Sequence, residues 1–221
     1  MTYTNILFDL DGTLTDPKEG IINSVKFALA KFGVNESGIG DLMKFIGPPL
    51  HVSFRDFCGF NEENSELAVQ YFREYFIDKG INENSIFPGV VELLESLKSR
   101  NAVIILATSK PTVHANTVLE NFGIANYFQY VKGSNLNGTE SGKPEIIAHI
   151  IEKFNLEKDK TVMIGDRFYD IIGAKENGID SIGVTFGYGG ESELKDAGAT
   201  YICRNIKKLN TLLLETINED H

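Results

Sequence analysis

Asn5-Ile6-Leu7-Phe8-Asp9-Leu10-Asp11-Gly12-Thr13-Leu14-Thr15-Asp16 decides how the rest of the chain is read. An apolar run, Ile6-Leu7-Phe8, ends in two carboxylates spaced i, i+2, followed by Gly12 and Thr13. The run is too short for a helix and is bounded by an Asp-Gly break, so it predicts a buried strand. Asp9 then leaves the end of a core strand, where a stiff scaffold can aim a polar head into a crevice. A carboxylate placed there suits a nucleophile, with Asp11 close by for proton transfer. Asp-Gly is also a hairpin-turn dipeptide, and acidic residues are common at strand ends. This segment leaves both readings open; polar groups at the ends of later strands favour the first.

Working outward, the chain turns helical after Asp16. Asp16 suits an N-cap, Pro17 the first helical position and Glu19 the third, a start resembling a capping box. Ile21, Val25, Ala28, Leu29 and Phe32 recur at helical spacing and Gly33 ends the run. Further helices are expected over 41–46, 49–57 and 62–79, the last capped by Asn61. No strand pattern is expected between residue 17 and about residue 85.

From Pro88-Gly89 onward strands and helices alternate. Strands are expected at 103–107, 130–132, 161–164, 181–184 and 200–202. Helices are expected at 90–98, 111–122, 145–154, 171–176 and 206–217. Alternation predicts an α/β fold, a Rossmann-like parallel sheet core with helices on both faces. The all-helical block interrupts it after the first strand and reads as an inserted cap domain. The expected division is 1–15 with 88–221 as the core and 16–87 as the cap. The insertion point is the strand edge where open α/β sheets bind ligands. A cap there would act as a lid, hinged near Thr15-Asp16 and Pro88-Gly89.

The chain has 221 residues, 42% of them hydrophobic, enough for one sizeable core plus a small second unit. Its formal net charge of −10 argues against a nucleic-acid or anionic-membrane surface. A small anionic substrate is still compatible, because a lysine, a cation and helix N-termini can invert the field inside one pocket. Cys58 and Cys203 lie in apolar stretches far apart and read as separate thiols rather than a bridge. No apolar run reaches membrane-span length, and the first residues lack a signal-like pattern. A cytoplasmic protein, monomeric or weakly dimeric, is the expectation.

Two later strand ends and one loop before a helix carry polar groups. The strand over 103–107 runs into Thr108-Ser109-Lys110-Pro111. A hydroxyl followed by a helix N-terminus can cradle phosphate oxygens, although Ser109 can equally be a helix cap. The strand over 161–164 runs into Gly165-Asp166-Arg167-Phe168-Tyr169-Asp170. Two carboxylates one helical turn apart suit Mg²⁺; the same residues can cap a helix and favour its positive end. Lys143, in Ser141-Gly142-Lys143-Pro144, can supply the fixed positive charge that carboxylates facing a phosphate require. Alone it would read as a solvated surface lysine.

Together these residues resemble the haloacid dehalogenase-like hydrolase superfamily, in its phosphatase branch with a helical cap. Asp9-Leu10-Asp11-Gly12-Thr13 is similar to the family's first motif without departure. Thr108 occupies the second, Lys143 the third and 165–170 the fourth. The resemblance implies that Asp9 attacks phosphorus and that Asp11 protonates the leaving oxygen, then serves as base. It implies that Thr108 and Ser109 bind the phosphoryl group and that Lys143 pairs with Asp9 and the phosphate. Mg²⁺ would be held by Asp9, Asp11 through its carbonyl, and Asp166, with Asp170 and Thr13 behind them. In the cap, the segment 45–50 followed by Ser53-Phe54 resembles the specificity loop of phosphoglycolate phosphatase-like and nucleotidase-like proteins. Gly47 and Arg55 are therefore substrate-binding candidates there; Arg55 reads equally as a solvated helix charge. Pro17 departs from the serine common after Asp16.

The expected function is Mg²⁺-dependent hydrolysis of a small phosphomonoester, of phosphoglycolate or nucleoside monophosphate type, through an aspartyl-phosphate. A phosphomutase or a pyrophosphatase on the same core is the alternative. A non-catalytic binding module ranks last, since the first and fourth motifs are intact.

Overall fold

The computed structural model describes residues 3–137 and 139–217. In chain order come β1 (Asn5–Phe8), β2 (Thr15–Asp16), α1 (Lys18–Lys31), two 3-10 turns (Glu36–Gly38 and Leu42–Phe45), α2 (Leu50–Cys58) and α3 (Glu62–Tyr75). A π-helical turn (Phe76–Gly80) continues α3, and β3 (Ser85–Ile86) follows. Then come α4 (Val90–Ser99), β4 (Val103–Pro111), α5 (Thr112–Asn121), β5 (Tyr130–Ser134), α6 (Lys143–Phe154) and β6 (Thr161–Gly165). The chain closes with α7 (Phe168–Asn177), β7 (Asp180–Val184), α8 (Glu191–Ala197), β8 (Tyr201–Cys203) and α9 (Ile206–Thr216).

Six strands form one sheet in the order β5-β4-β1-β6-β7-β8, parallel in every ladder. Consecutive residues of β1, β4 and β6 are buried on alternate faces. Leu7, Ile105 and Met163 pack against Ile146, Ile147 and Ile150 of α6 and Ala174 of α7. Ile6, Phe8, Ile104, Leu106, Val162 and Ile164 on the opposite face are also fully buried. Burial on both faces is what a doubly covered parallel sheet requires, and explains why these strands read as continuous apolar runs. The sheet places the site through register. Phe8 pairs with Leu106 on one side and Ile164 on the other. Asp9 and Asp166, just past the ends of β1 and β6, and Thr108 within β4 therefore lie at nearly one level on three adjacent strands. β1 is also where the strand order reverses, the crevice in which open α/β sheets take ligands.

The chain divides into two compact units, Met1–Thr15 with Ile86–His221, and Asp16–Ser85. The connecting strands β2 and β3 pair with each other. Phe87 belongs to the sheet unit: its amide donates to Leu14 O at 3.0 Å, and its ring packs edge-on against Phe186 at 5.4 Å. Gly89 (φ +93°) lies against Ile206 and opens α4, so it sits inside that unit rather than at the crossover.

Several local expectations are revised. α1 begins at Lys18 with Pro17 as its cap residue, and Asp16 Oδ1 accepts from Lys18 N at 3.1 Å in an Asx turn. The stretch 41–46 makes only a 3-10 turn, capped by Asp41 and stopped before Gly47 at φ +108°. Helix α3 gives way to the π turn where Gly80 meets Gly20. A Cβ on Gly20 would lie 2.0 Å from Gly80 O. Gly20→Ala is therefore expected to lower the melting temperature. Overpacking costs about 1–3 kcal/mol against the ~1 kcal/mol that alanine regains in helix propensity. An unchanged melting curve would show that α1 and the π turn separate freely. Cys58 and Cys203 are both free. Among the described residues no helix is long and apolar enough to cross a membrane.

Candidate active site

The site starts with the backbone after β1. Leu10 O accepts from Thr13 N (3.2 Å), Leu14 N (2.9 Å) and Thr15 N (3.1 Å), while Gly12 N donates to Thr15 O at 2.8 Å. This folds 10–15 into a tight turn that presents Asp9 and Asp11. Gly12 sits at φ +83°, and a Cβ there would lie 2.3 Å from Asp166 Oδ2. Only glycine meets both demands, the positive φ and the close approach of a carboxylate.

Lys143 is the hub. It is the first residue of α6, capped by Gly142, two positions earlier than the helix start read from sequence. Its Nζ lies 2.8 Å from Asp9 Oδ1 and 2.5 Å from Asp170 Oδ1, and donates to Ala107 O at 2.9 Å. The side chain is 3% exposed. Burial alone would lower its pKa, but the Asp170 and Asp9 carboxylates outweigh it and raise it. The ammonium is therefore held charged inside the protein. Gly173 makes room, since a Cβ there would lie 2.8 Å from Lys143 Cβ.

Asp166 is fully buried after β6. Its Oδ2 accepts from Tyr188 N at 2.8 Å, and its Oδ1 lies 3.5 Å from Thr13 Oγ1. Gly187 and Gly189 close around it; a Cβ on Gly187 would lie 2.5 Å from its carboxylate. Burial first, then the charges of Asp170 and Asp9, push its pKa well above the usual carboxylate range. Asp170 is also fully buried. Its Oδ2 accepts from Arg167 N at 3.1 Å in the first turn of α7, and its Oδ1 meets Lys143. Burial first, and the Asp9 charge, outweigh Lys143 and raise its pKa to about 6. One Asp170 oxygen thus accepts an amide and the other sits in an ion pair with Lys143, and α7 is capped at Arg167 rather than Asp166.

Oxygen atoms of Asp9, Asp166 and Asp170 lie within 4.8 Å of one another. With Lys143 committed to Asp9 and Asp170, Asp166 has backbone and hydroxyl donors but, among the described residues, no ammonium in contact. Hard oxygen donors, excess negative charge and a raised Asp166 pKa fit a divalent cation such as Mg²⁺.

β4 continues past its apolar core to Pro111, with a register shift between Ala107 and Pro111. Thr108 is buried, and its Oγ1 accepts from Lys110 N at 3.3 Å. Ser109 does not cap α5, whose cap residue is Pro111; its Oγ donates to Ser141 O at 2.8 Å. Ser134 Oγ donates to Ser109 O at 2.9 Å. The loop before Lys143 and the end of β4 are thereby stitched together. Lys110 was not singled out from sequence, yet its Nζ pairs with Asp11 Oδ2. The Gly187-Tyr188-Gly189 cradle was equally unassigned. A glycine on either side of one residue after a core strand was the available signal.

Gly47 and Arg55 belong to the other unit. Gly47 separates the 3-10 turn from α2, and Arg55 lies on α2 with its Nε 2.8 Å from Asp56 Oδ1, a half-exposed pair.

Residues 6–184 match the family described as haloacid dehalogenase-like hydrolase. A 5'-nucleotidase from Pseudomonas aeruginosa is 44% identical over 213 residues, 96% of each chain. A tyrosine-protein kinase, PtkA, from Mycobacterium tuberculosis is 37% identical over 83% of this chain and 62% of its own. A crystal structure of a predicted phosphatase from Clostridium acetobutylicum superposes with a TM-score of 0.93 at 46% identity, covering 97% of this chain and all of that one. With the family matched across most of its length and phosphatases among its near relatives, the chain belongs to the haloacid dehalogenase-like hydrolases and is a phosphatase among them.

Proposed function

We propose that the chain hydrolyses a small phosphomonoester, of the nucleoside 5'-monophosphate type, through a phosphoryl group carried on Asp9. The observation that carries the reading is the Asp9 carboxylate at the end of β1, clamped by buried Lys143 at 2.8 Å beside Asp166. Asp9 attacks phosphorus, the bond to the leaving oxygen breaks, and Asp11 supplies the proton that oxygen takes up. Water then attacks the phosphoryl-aspartate, Asp11 takes its proton, and the acyl phosphate P–O bond breaks to regenerate the Asp9 carboxylate and phosphate. Thr108 and Ser109 N–H hold the phosphoryl oxygens, and Lys143 offsets charge between nucleophile and phosphate. Mg²⁺, held by Asp9, Asp166 and the Asp11 carbonyl, supplies further charge neutralisation when bound. Thr13 and Asp170 orient this set. The nucleotide preference rests on the name of the 44%-identical relative; phosphoglycolate is the next substrate in line.

Phosphate release from a panel of 5'-nucleotides, phosphoglycolate and pyrophosphate, with Mg²⁺ and with chelator, tests this. One chelator-sensitive nucleotide should stand out. Isomerised product without free phosphate would replace the reading with a mutase. ATP with a tyrosyl peptide joins the panel because of the mycobacterial relative's name; no phosphopeptide is expected. A second readout needs no turnover: Mg²⁺ at about 100 times its Kd should stabilise the fold by about 2.7 kcal/mol. For a chain of this size that raises the melting temperature by about 5–11 °C. The gain should vanish in Asp166→Asn.

A further inference from the structure

We propose that Lys110 is a positioning residue for Asp11: its ammonium anchors one carboxylate oxygen so that the other is the atom offered to the leaving group. This rests on the acid–base reading of Asp11 above. The two oxygens of Asp11 have different surroundings. Oδ2 is paired with Lys110 Nζ, whereas Oδ1 is buried and has no hydrogen-bond partner among the described residues. A buried carboxylate oxygen left without a donor costs free energy, so such an atom calls for an explanation. Presenting it to the bridging oxygen of a bound ester supplies one.

Both partners are held from behind. The Asp11 backbone sits in the turn whose Leu10 carbonyl takes three amides, so only its side-chain torsions stay free. Lys110 sits on the extension of β4. Its amide meets Thr108 Oγ1, and its carbonyl packs so close to Gly133 that a Cβ there would lie 2.2 Å away. Its side chain is 7% exposed, against 16% for Asp11. The lysine is a fixed post, and a carboxylate with one oxygen tied to a fixed post has one productive orientation. Misplacing a reacting group by about 1 Å can cost on the order of 10²-fold.

The sequence separation explains why this pair escapes local reading. Lys110 sits beside the phosphate-binding hydroxyl, where a cation would be assigned to the phosphate. Its contact is instead with the group that handles the proton.

The experiment is a double-mutant cycle with adenosine 5'-monophosphate and p-nitrophenyl phosphate as substrates. Asp11→Asn alone should lower kcat on the nucleotide by about 10²–10⁴-fold. Lys110→Met, which keeps the apolar stem, should lower kcat by about 10–100-fold with little change in KM. The loss on p-nitrophenyl phosphate should be smaller, because that leaving group departs without a proton. Lys110→Arg should recover part of the loss. In the Asp11→Asn background, Lys110→Met should change kcat less than about twofold, since the two act as a unit. The proposal is overturned if Lys110→Met keeps wild-type kcat on the nucleotide. It is equally overturned if the loss is undiminished without Asp11, which would make Lys110 an independent contact to substrate. Full activity in Asp11→Asn would instead overturn the acid–base reading beneath it. A melting curve accompanies each variant; where Lys110→Met fails to fold, Lys110→Gln takes its place in the cycle with the same expected losses.

Discussion

Asp9→Asn is expected to fold, to melt at or above the wild-type temperature, and to release no phosphate from any monoester. The catalytic loss follows from the covalent role: an amide oxygen cannot displace the leaving group, and no neighbouring carboxylate is aimed in its place. Asp170 is tied to the Lys143 ammonium through one oxygen and to Arg167 N through the other, and Asp166 is fully buried against Tyr188 N. Removing a nucleophile that acts as a unit with its partners costs on the order of 10⁴–10⁶-fold. The stability argument runs the other way. Burial first, then neighbouring negative charge, raises the pKa of Asp166, and the Asp9 charge contributes to the shift of both Asp166 and Asp170. Neutralising Asp9 relieves that repulsion, while Lys143 keeps Asp170 and the Ala107 carbonyl. Acid quench with labelled substrate should trap phosphate on the wild-type protein and none on the variant. Retained turnover would remove Asp9 from the nucleophile role, whatever the melting curve shows.

Most of the sheet was legible because its central strands are buried on both faces and write themselves as apolar runs. Ile6-Leu7-Phe8 and Val162-Met163-Ile164 are such runs, and the carboxylates after them mark the strand ends. What stayed hidden depends on partners distant in sequence or on polar ladders. β4 continues through Thr108-Ser109-Lys110 because Ser134 and Ser141 bond Ser109, and no apolar signal announces that. Lys110 finds Asp11 across 99 residues. Helix α8, Glu-Ser-Glu-Leu-Lys-Asp-Ala, buries only Leu194, so it offers almost no periodicity to read. The Asp41–Ile46 stretch fails as an α-helix for the opposite reason: its apolar residues are real core, with Leu42 and Phe45 buried, but a single turn satisfies them. Patterns thus reported which residues are buried more reliably than which backbone carries them.

Lys143→Met is the substitution expected to damage the fold most within the site. The ammonium contacts two carboxylates and a carbonyl while almost wholly buried. Removing it leaves Asp9 and Asp170 facing each other without the cation they share. Breaking a buried ion pair from one side costs about 3–5 kcal/mol, because the remaining charge stays desolvated. For this chain length that lowers the melting temperature by about 6–20 °C. The loss should come from the stranded charges, not from the missing stem, since methionine fills most of the space. Lys143→Met combined with Asp170→Asn should therefore recover a large part of it: the variant site then carries fewer uncompensated carboxylates, and Asp170 loses the partner it no longer needs. Mg²⁺ should also stabilise the single variant, by neutralising Asp9 and Asp166 from the other side. If the double variant were no more stable than Lys143→Met alone, packing rather than charge would account for the loss. Activity provides the separate readout. Neither variant should regain turnover, because the charge that Lys143 offsets between nucleophile and phosphate is still missing when the fold has been repaired.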